Sequence, residues 1–430
     1  MPNRARRLSP VLLFVPVILL LASLTGCQRN KIEELVGSEL FSIPLGKLEN
    51  QIDLFSSPGG TTEKETHISM RDGWFYVANG NSGKVMVFSS YGDLIFLLYN
   101  PVTNPAPVLL NSVAPAAAAA SPGAQAGKAG DSSTGDTVST RGAVSYPFSD
   151  IGQIAVASDK TLYVEDGVTE ARVVKDADHG VLLTRVILRF DRKGKPEGYL
   201  GQEGIGGTPF PYVMALHVTA KDQLVVVTRL PESWEVFWYS PEGTLLYRVE
   251  IDGAHLPVAA EKGMTPSLVN IIPDLQNPYL YLTIYSYREP ADDPTRPASL
   301  QDDAVTSRVY RLNLRTRQYE SFVELPRNSP RKETVGLKTT EIPAPPSDLI
   351  GVSANGFYYL LGFADSNLYT LQILDPSGRV RARRYMVIED SELTFRDLRL
   401  SPTGLVYGLL VDQTKAHVTW WRSDLLLKGD

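Results

Sequence analysis

Beyond residue 65 the chain is written in short runs that alternate apolar and polar positions, broken by Gly, Asp, Asn and Pro. "HISMRDGWFYVANGNSGKVMVFSSYGDLIFLLY", from His67, reads as an alternating strand, a turn, an aromatic-rich strand, a third strand, a tight turn and a fourth. Period-two alternation between turn signals predicts half-buried strands. The same order recurs from Ile151, Ala215, Asn270, Leu349 and Leu398, so six segments share one grammar. "RDG", "SDK", "AKD", "ANG" and "PTG" stand between first and second strands; "SYGD", "RKGK", "PEGT" and "PSGR" stand between third and fourth. Asp, Asn and Gly suit such hairpins because they tolerate positive φ.

Four strands per unit, repeating about every 40 to 50 residues, predict an all-β chain folded as a β-propeller of six four-stranded blades. The pattern resembles NHL-type and other six-bladed propellers across residues 40–427. The sixth unit reaches "VTWWRSD" without a clear fourth strand, while "LFSIPL", Leu40 to Leu45, is an orphan strand ahead of the first unit. Pairing the two closes the ring and leaves no open edge. The aromatic runs "WFYVAN", "LYLTIYSY" and "FYYLLGF" fall on second strands, where bulky rings are expected to pack blade against blade.

Antiparallel strands send successive connections to alternate ends of a sheet. The tight turns above therefore share one face. The long connections, 101–149, 168–183, 253–266, 287–304 and 326–346, all fall on the other. Loops on a rigid scaffold carry function, which makes the elaborated face the expected binding face. Within it, "TRLPESWEV" offers Arg229, Glu232 and Trp234, a composition frequent at interface hot spots; the alternative is that Trp234 packs under its own loop. Residues 101–149 center on "APAAAAASPGAQAGKAGDSSTGDT" and lack the apolar groups that offset ordering entropy. They are expected to form a disordered insertion.

The start of the chain changes the setting. Arg4, Arg6 and Arg7 precede an apolar run from Leu8 to Leu24 interrupted by Pro10 and Pro16. That is the form of a secretory signal, and it falls short of the roughly 20 apolar residues of a spanning helix. The sole cysteine follows in "LTGC", Leu24 to Cys27. This sequence resembles the lipobox of bacterial lipoprotein precursors. The resemblance implies a signal peptide over 1–26, a diacylglycerol (and then a further acyl chain such as palmitate) on Cys27, and a tether or short helix over 27–39. Two or more acyl chains hold a protein stably at a membrane. Gln28, in place of aspartate, favors the outer membrane in the lipoproteins it resembles. The expected location is thus exported and lipid-anchored, facing the periplasm or the surface.

Net charge is −6, and removing the three leader arginines takes it to −9. An acidic body without a basic stripe argues against nucleic acid as partner. The five histidines, His67, His179, His217, His255 and His417, form no HxH or HExxH pair. There is no GxSxG elbow, and "GQEGIGG", Gly201 to Gly207, lacks the Lys-Ser/Thr and helix of a phosphate loop. One constellation remains, at the expected starts of the first strands: Gln153, Asn270, Asp348 and Asp397. Oxygens of this kind suit Ca²⁺, and some six-bladed propeller hydrolases, the lactonase-like ones included, resemble the plan with calcium on the axis. The alternative is that the two aspartates accept backbone hydrogen bonds. The primary expectation is a non-enzymatic module without cofactor that binds or scaffolds a cell-envelope protein or component; a calcium-dependent hydrolase and a purely structural envelope lipoprotein are the alternatives.

Overall fold

A computed structural model describes residues 32–54, 65–110, 141–258, 264–288, 304–328, 331–335, 338–342, 345–365 and 367–427. The expected signal peptide, 1–26, and Cys27 lie outside them. No helix among the described residues is long and apolar enough to cross a membrane.

The chain is a six-bladed β-propeller built from six antiparallel meanders. Blade one begins with the inner strand Thr66–Arg71 and runs outward through Trp74–Asn79 and Lys84–Ser89 to Leu94–Tyr99. The inner strands of blades two to five are Ile154–Val156, Tyr212–Val218, Met264–Pro273 and Asp348–Val352. Blade six takes Phe395–Leu400, Val406–Val411 and Lys415–Trp421 from the end of the chain. Its outermost strand is Ser38–Pro44, antiparallel to Lys415–Trp421 with Ile43 opposite Ala416 and Phe41 opposite Val418. The ring closes as the orphan strand predicts.

Turn chemistry positions the blades. Asp72 and Gly73 both have positive φ, 51° and 77°, in the hairpin between the first two strands of blade one. Gly404 also has positive φ, 89°, and a side chain there would collide with the Tyr359 hydroxyl of blade five. The core lies between blades. Phe41, Phe75, Val77, Tyr407 and Val418 form one cluster joining blade six to blade one, where Phe75 meets Phe41 at 5.7 Å and Tyr407 at 6.3 Å. Tyr281 of blade four meets Tyr358 of blade five edge-on at 5.5 Å. Second-strand aromatics therefore cement neighboring sheets, as expected.

Two blades exceed four strands. Gly142–Ser145 adds to blade one parallel to Leu94–Tyr99, and Gly204–Ile205 adds antiparallel to the outer strand Pro196–Gly201 of blade two. A parallel addition needs a long crossover, which the 101–149 connection supplies. That connection is consequently narrower as an irregular insertion than its composition implies: 141–149 is ordered, and its Ala/Gly/Ser-rich middle, 111–140, lies outside the described residues. Within the expected tether, residues 33–35 are neither free nor helical. Tyr385 of blade five donates its N–H to the Glu33 carbonyl at 2.9 Å, and Leu35 N–H donates to the Tyr385 carbonyl at 2.7 Å. Residues 33–35 thus run extended along the outer rim before Ser38–Pro44 completes blade six.

Candidate functional site

The first strands converge on the channel, and their starting ends open on the face that carries the long connections. There the side chains of Glu65 and His67 from blade one, Gln153 leading into blade two, Tyr212 of blade three, and Asp397 and Arg399 of blade six meet in one network. His67 Nε2 lies 2.8 Å from Glu65 Oε2 and 3.0 Å from Gln153 Nε2. Its Nδ1 lies 3.5 Å from Asp397 Oδ2 and 3.0 Å from Arg399 Nη2. Arg399 donates from Nε to Asp397 Oδ1 at 2.8 Å and from Nη2 to Gln153 Oε1 at 3.3 Å. Tyr212 donates its hydroxyl to Glu65 Oε1 at 3.0 Å. Asp397 also accepts the Ile68 N–H at 3.0 Å.

Charges set one another in this cluster. Burial pushes Asp397 up, yet the Arg399 guanidinium and His67 outweigh it and hold the carboxyl down to about 2. Burial works to lower His67, but hydrogen bonds to Asp397 and Glu65 prevail and raise it. Behind Gln153, whose N–H donates to Glu165 Oε2 at 2.8 Å, burial pushes Glu165 up to about 7 despite that bond and Arg185. The arrangement can move or hold protons within the mouth and ties blades six, one, two and three together.

The four residues expected to form an oxygen cage are divided. Gln153 and Asp397 belong to the network, with the Arg399 guanidinium bonded to both. Asn270 donates from Nδ2 to the Leu349 carbonyl at 3.2 Å, and Asp348 accepts from the Tyr285 hydroxyl at 3.3 Å. Among the described residues, no three His, Cys, Asp or Glu side chains cluster in a way that could hold a metal. Asp397 does accept a backbone N–H, as the alternative anticipates. Glu65, His67, Tyr212 and Arg399 are not among the residues the sequence singles out for this site; the signal for His67 is its place at the start of an alternating strand.

A second feature lies farther out on the same face. A groove of about 430 Å³ runs between the hairpin strand Val181–Leu183 and the Arg229–Pro231 segment of blade three, with Arg185 and Tyr212 also lining it. Leu182 and Tyr212 are exposed there, at 58% and 50%. Of the expected hot-spot residues, Arg229 lines this groove and Glu232 is exposed beside it. Trp234 instead packs among Ile251, Leu268 and Ile284 between blades three and four, 5% exposed. The Arg229 guanidinium covers its ring at 4.6 Å. Trp234 therefore supports the loop from below, because an indole on the third strand points into the inter-blade core.

No family model matches the chain, and no curated protein matches it. Among solved structures, it is similar to a protein of unknown function from Bacteroides caccae, 12% identical, with a TM-score of 0.32 over 80% of this chain and 93% of that one. It is also similar to the Dos1 propeller, 9% identical, with a TM-score of 0.33 over 90% of this chain and 95% of that one.

Proposed function

We propose that this protein is a lipid-anchored β-propeller of the bacterial cell envelope, bound to the outer membrane through Cys27, that binds or scaffolds an envelope protein or component with its elaborated face. The reading assigns it no catalysis and no cofactor. One observation carries it: the short turns lie on one face, while the strand ends that the long connections join, the hairpin at Val174–Asp176 and Val181–Leu183, and the groove at Arg229 lie on the other. A six-bladed scaffold offers a broad rigid surface, and a tether raises local concentration at the membrane. Exposed Leu182 and Tyr212 beside Arg229 and Glu232 give that face the aromatic, apolar and charged mixture of binding surfaces.

Calcium-dependent hydrolysis draws no comparable support, since a guanidinium bonds both to Gln153 and to Asp397. The anchor is tested by labeling cells with a radioactive fatty acid and fractionating their membranes. Native protein is expected to take up label and sediment with the outer membrane, and Cys27→Ser to lose both. An unlabeled native protein would remove the anchor from this reading.

A further inference from the structure

Below the mouth network, the channel contains a cavity that shares Arg399 with that network and adds Arg71 and His217, which the network does not use. This cavity of about 150 Å³ lies between the inner strands, many times the ~10–15 Å³ that admits one water. Its polar lining includes Arg71, His217 and Arg399, with no Asp or Glu among the lining residues. The remaining wall is largely aliphatic, with Ile68, Ile154, Leu216, Ile272, Ile350 and Leu400 contributed by the six blades.

Two nitrogens in this wall, His217 Nε2 and Arg71 Nε, are buried and make no hydrogen bond with the described residues. The carboxylates nearest Arg71 stand off: Asp72 Oδ2 is 4.0 Å from Nε, and Asp222 Oδ1 is 3.8 Å from Nη2. Both exceed hydrogen-bond distance. Leaving buried donors unpaired is costly, so a ligand that supplies acceptors gains by entering. Burial and the nearby Arg399 push His217 down to about 4, so at neutral pH the ring is uncharged and can donate from one nitrogen. Guanidinium donors match a planar carboxylate. An aliphatic wall around a few polar donors suits an organic ligand better than an inorganic anion.

We propose that the central channel binds a small monocarboxylate, its carboxylate held by His217 and the guanidiniums of Arg71 and Arg399, its short apolar body against the aliphatic wall. This assignment rests on the channel alone and is independent of the lipid anchor and of any partner on the elaborated face.

The test is titration calorimetry at pH 7 on the purified full chain with acetate, butyrate and hexanoate, using butyramide and inorganic phosphate as controls. One-to-one saturable binding of at least one of the acids is expected, with butyramide and phosphate weaker on the order of tenfold or more. His217→Leu and Arg71→Met are each expected to weaken the acid by a similar factor while cooperative melting is kept; if one variant fails to fold, the other decides. No saturable heat with any of the three acids overturns the proposal. So does phosphate binding as tightly as the best acid, or acid binding that survives the folded channel variants.

Discussion

Arg399 donates from Nε to Asp397 Oδ1 at 2.8 Å two residues away on the same inner strand, and the same guanidinium reaches His67 and Gln153 on the next two blades. A single ion pair is thereby the hub of the channel mouth, with Asp397 in turn holding the backbone of blade one through Ile68.

Breaking that pair leaves a largely buried cation uncompensated, and such losses cost about 3–5 kcal/mol. Asp397→Asn preserves the shape and can still accept the Ile68 N–H, yet it is expected to destabilize the fold by about 3 kcal/mol. Because His67 is raised partly by Asp397, its contribution to stability is fully present below its unfolded value near 6.5 and is lost as pH rises through its folded value above that. In the variant this loss should shrink. Urea unfolding at pH 6 and pH 8.5 measures both effects. Equal pH dependence in the two proteins would remove Asp397 from the control of His67.

Glu165 gives the same direction of pH dependence from a different cause, since here the fold favors the neutral form. Burial pushes its carboxyl up to about 7, so between its unfolded value near 4.5 and that point the native state binds more protons than the unfolded chain. Stability from this group therefore falls as pH rises from about 4.5 to 7, by roughly 3 kcal/mol over the whole window. Glu165→Gln cannot ionize and should escape that decline. The difference in melting temperature between Glu165→Gln and native protein should move in the variant's favor from pH 5 to pH 7.5.

Ring closure rests on a strand far in sequence from the blade it completes. Phe41 packs against Phe75 at 5.7 Å and Phe88 at 5.5 Å. Phe41→Ala is expected to cost about 3–5 kcal/mol, visible as a lower urea midpoint. An exposed substitution on the same strand, Ser42→Ala, should change stability by no more than about 0.5 kcal/mol.

Much of this architecture was legible because turn residues punctuate it: "RDG" and "PTG" supply the positive φ that their hairpins use, and the orphan "LFSIPL" had one unpaired partner. The added strands Gly142–Ser145 and Gly204–Ile205 were not legible, since short Gly-containing runs carry little periodic signal. The channel mouth was half legible. In a strand, a shift of one residue changes the face: Thr66, at the start of blade one, is a buried hydroxyl that accepts a hydrogen bond from Asn79, while its neighbor His67 faces Gln153. Asp397 and Gln153 are legible as oxygen-bearing residues at strand starts, whereas Arg399 is not, because a guanidinium only donates and is no ligand for a cation.

Trp234 separates support from contact on the elaborated face. Trp234→Ala should destabilize the protein by about 3–5 kcal/mol through lost core packing, and thus disturb any binding only through the fold. Arg229→Ala and Glu232→Ala remove exposed groups and are expected to leave the melting temperature nearly unchanged while weakening capture of a partner.

The most direct measurement places a photo-crosslinking amino acid, in intact cells, at Leu182, Arg229 or Glu232 on one face and at Lys193 or Glu242 in the tight turns of the other. Discrete crosslinked species from the first set and none from the second is the expected result. Crosslinks from the tight-turn face alone, or from neither face in a folded and anchored protein, would contradict the account of a propeller that binds through its elaborated side.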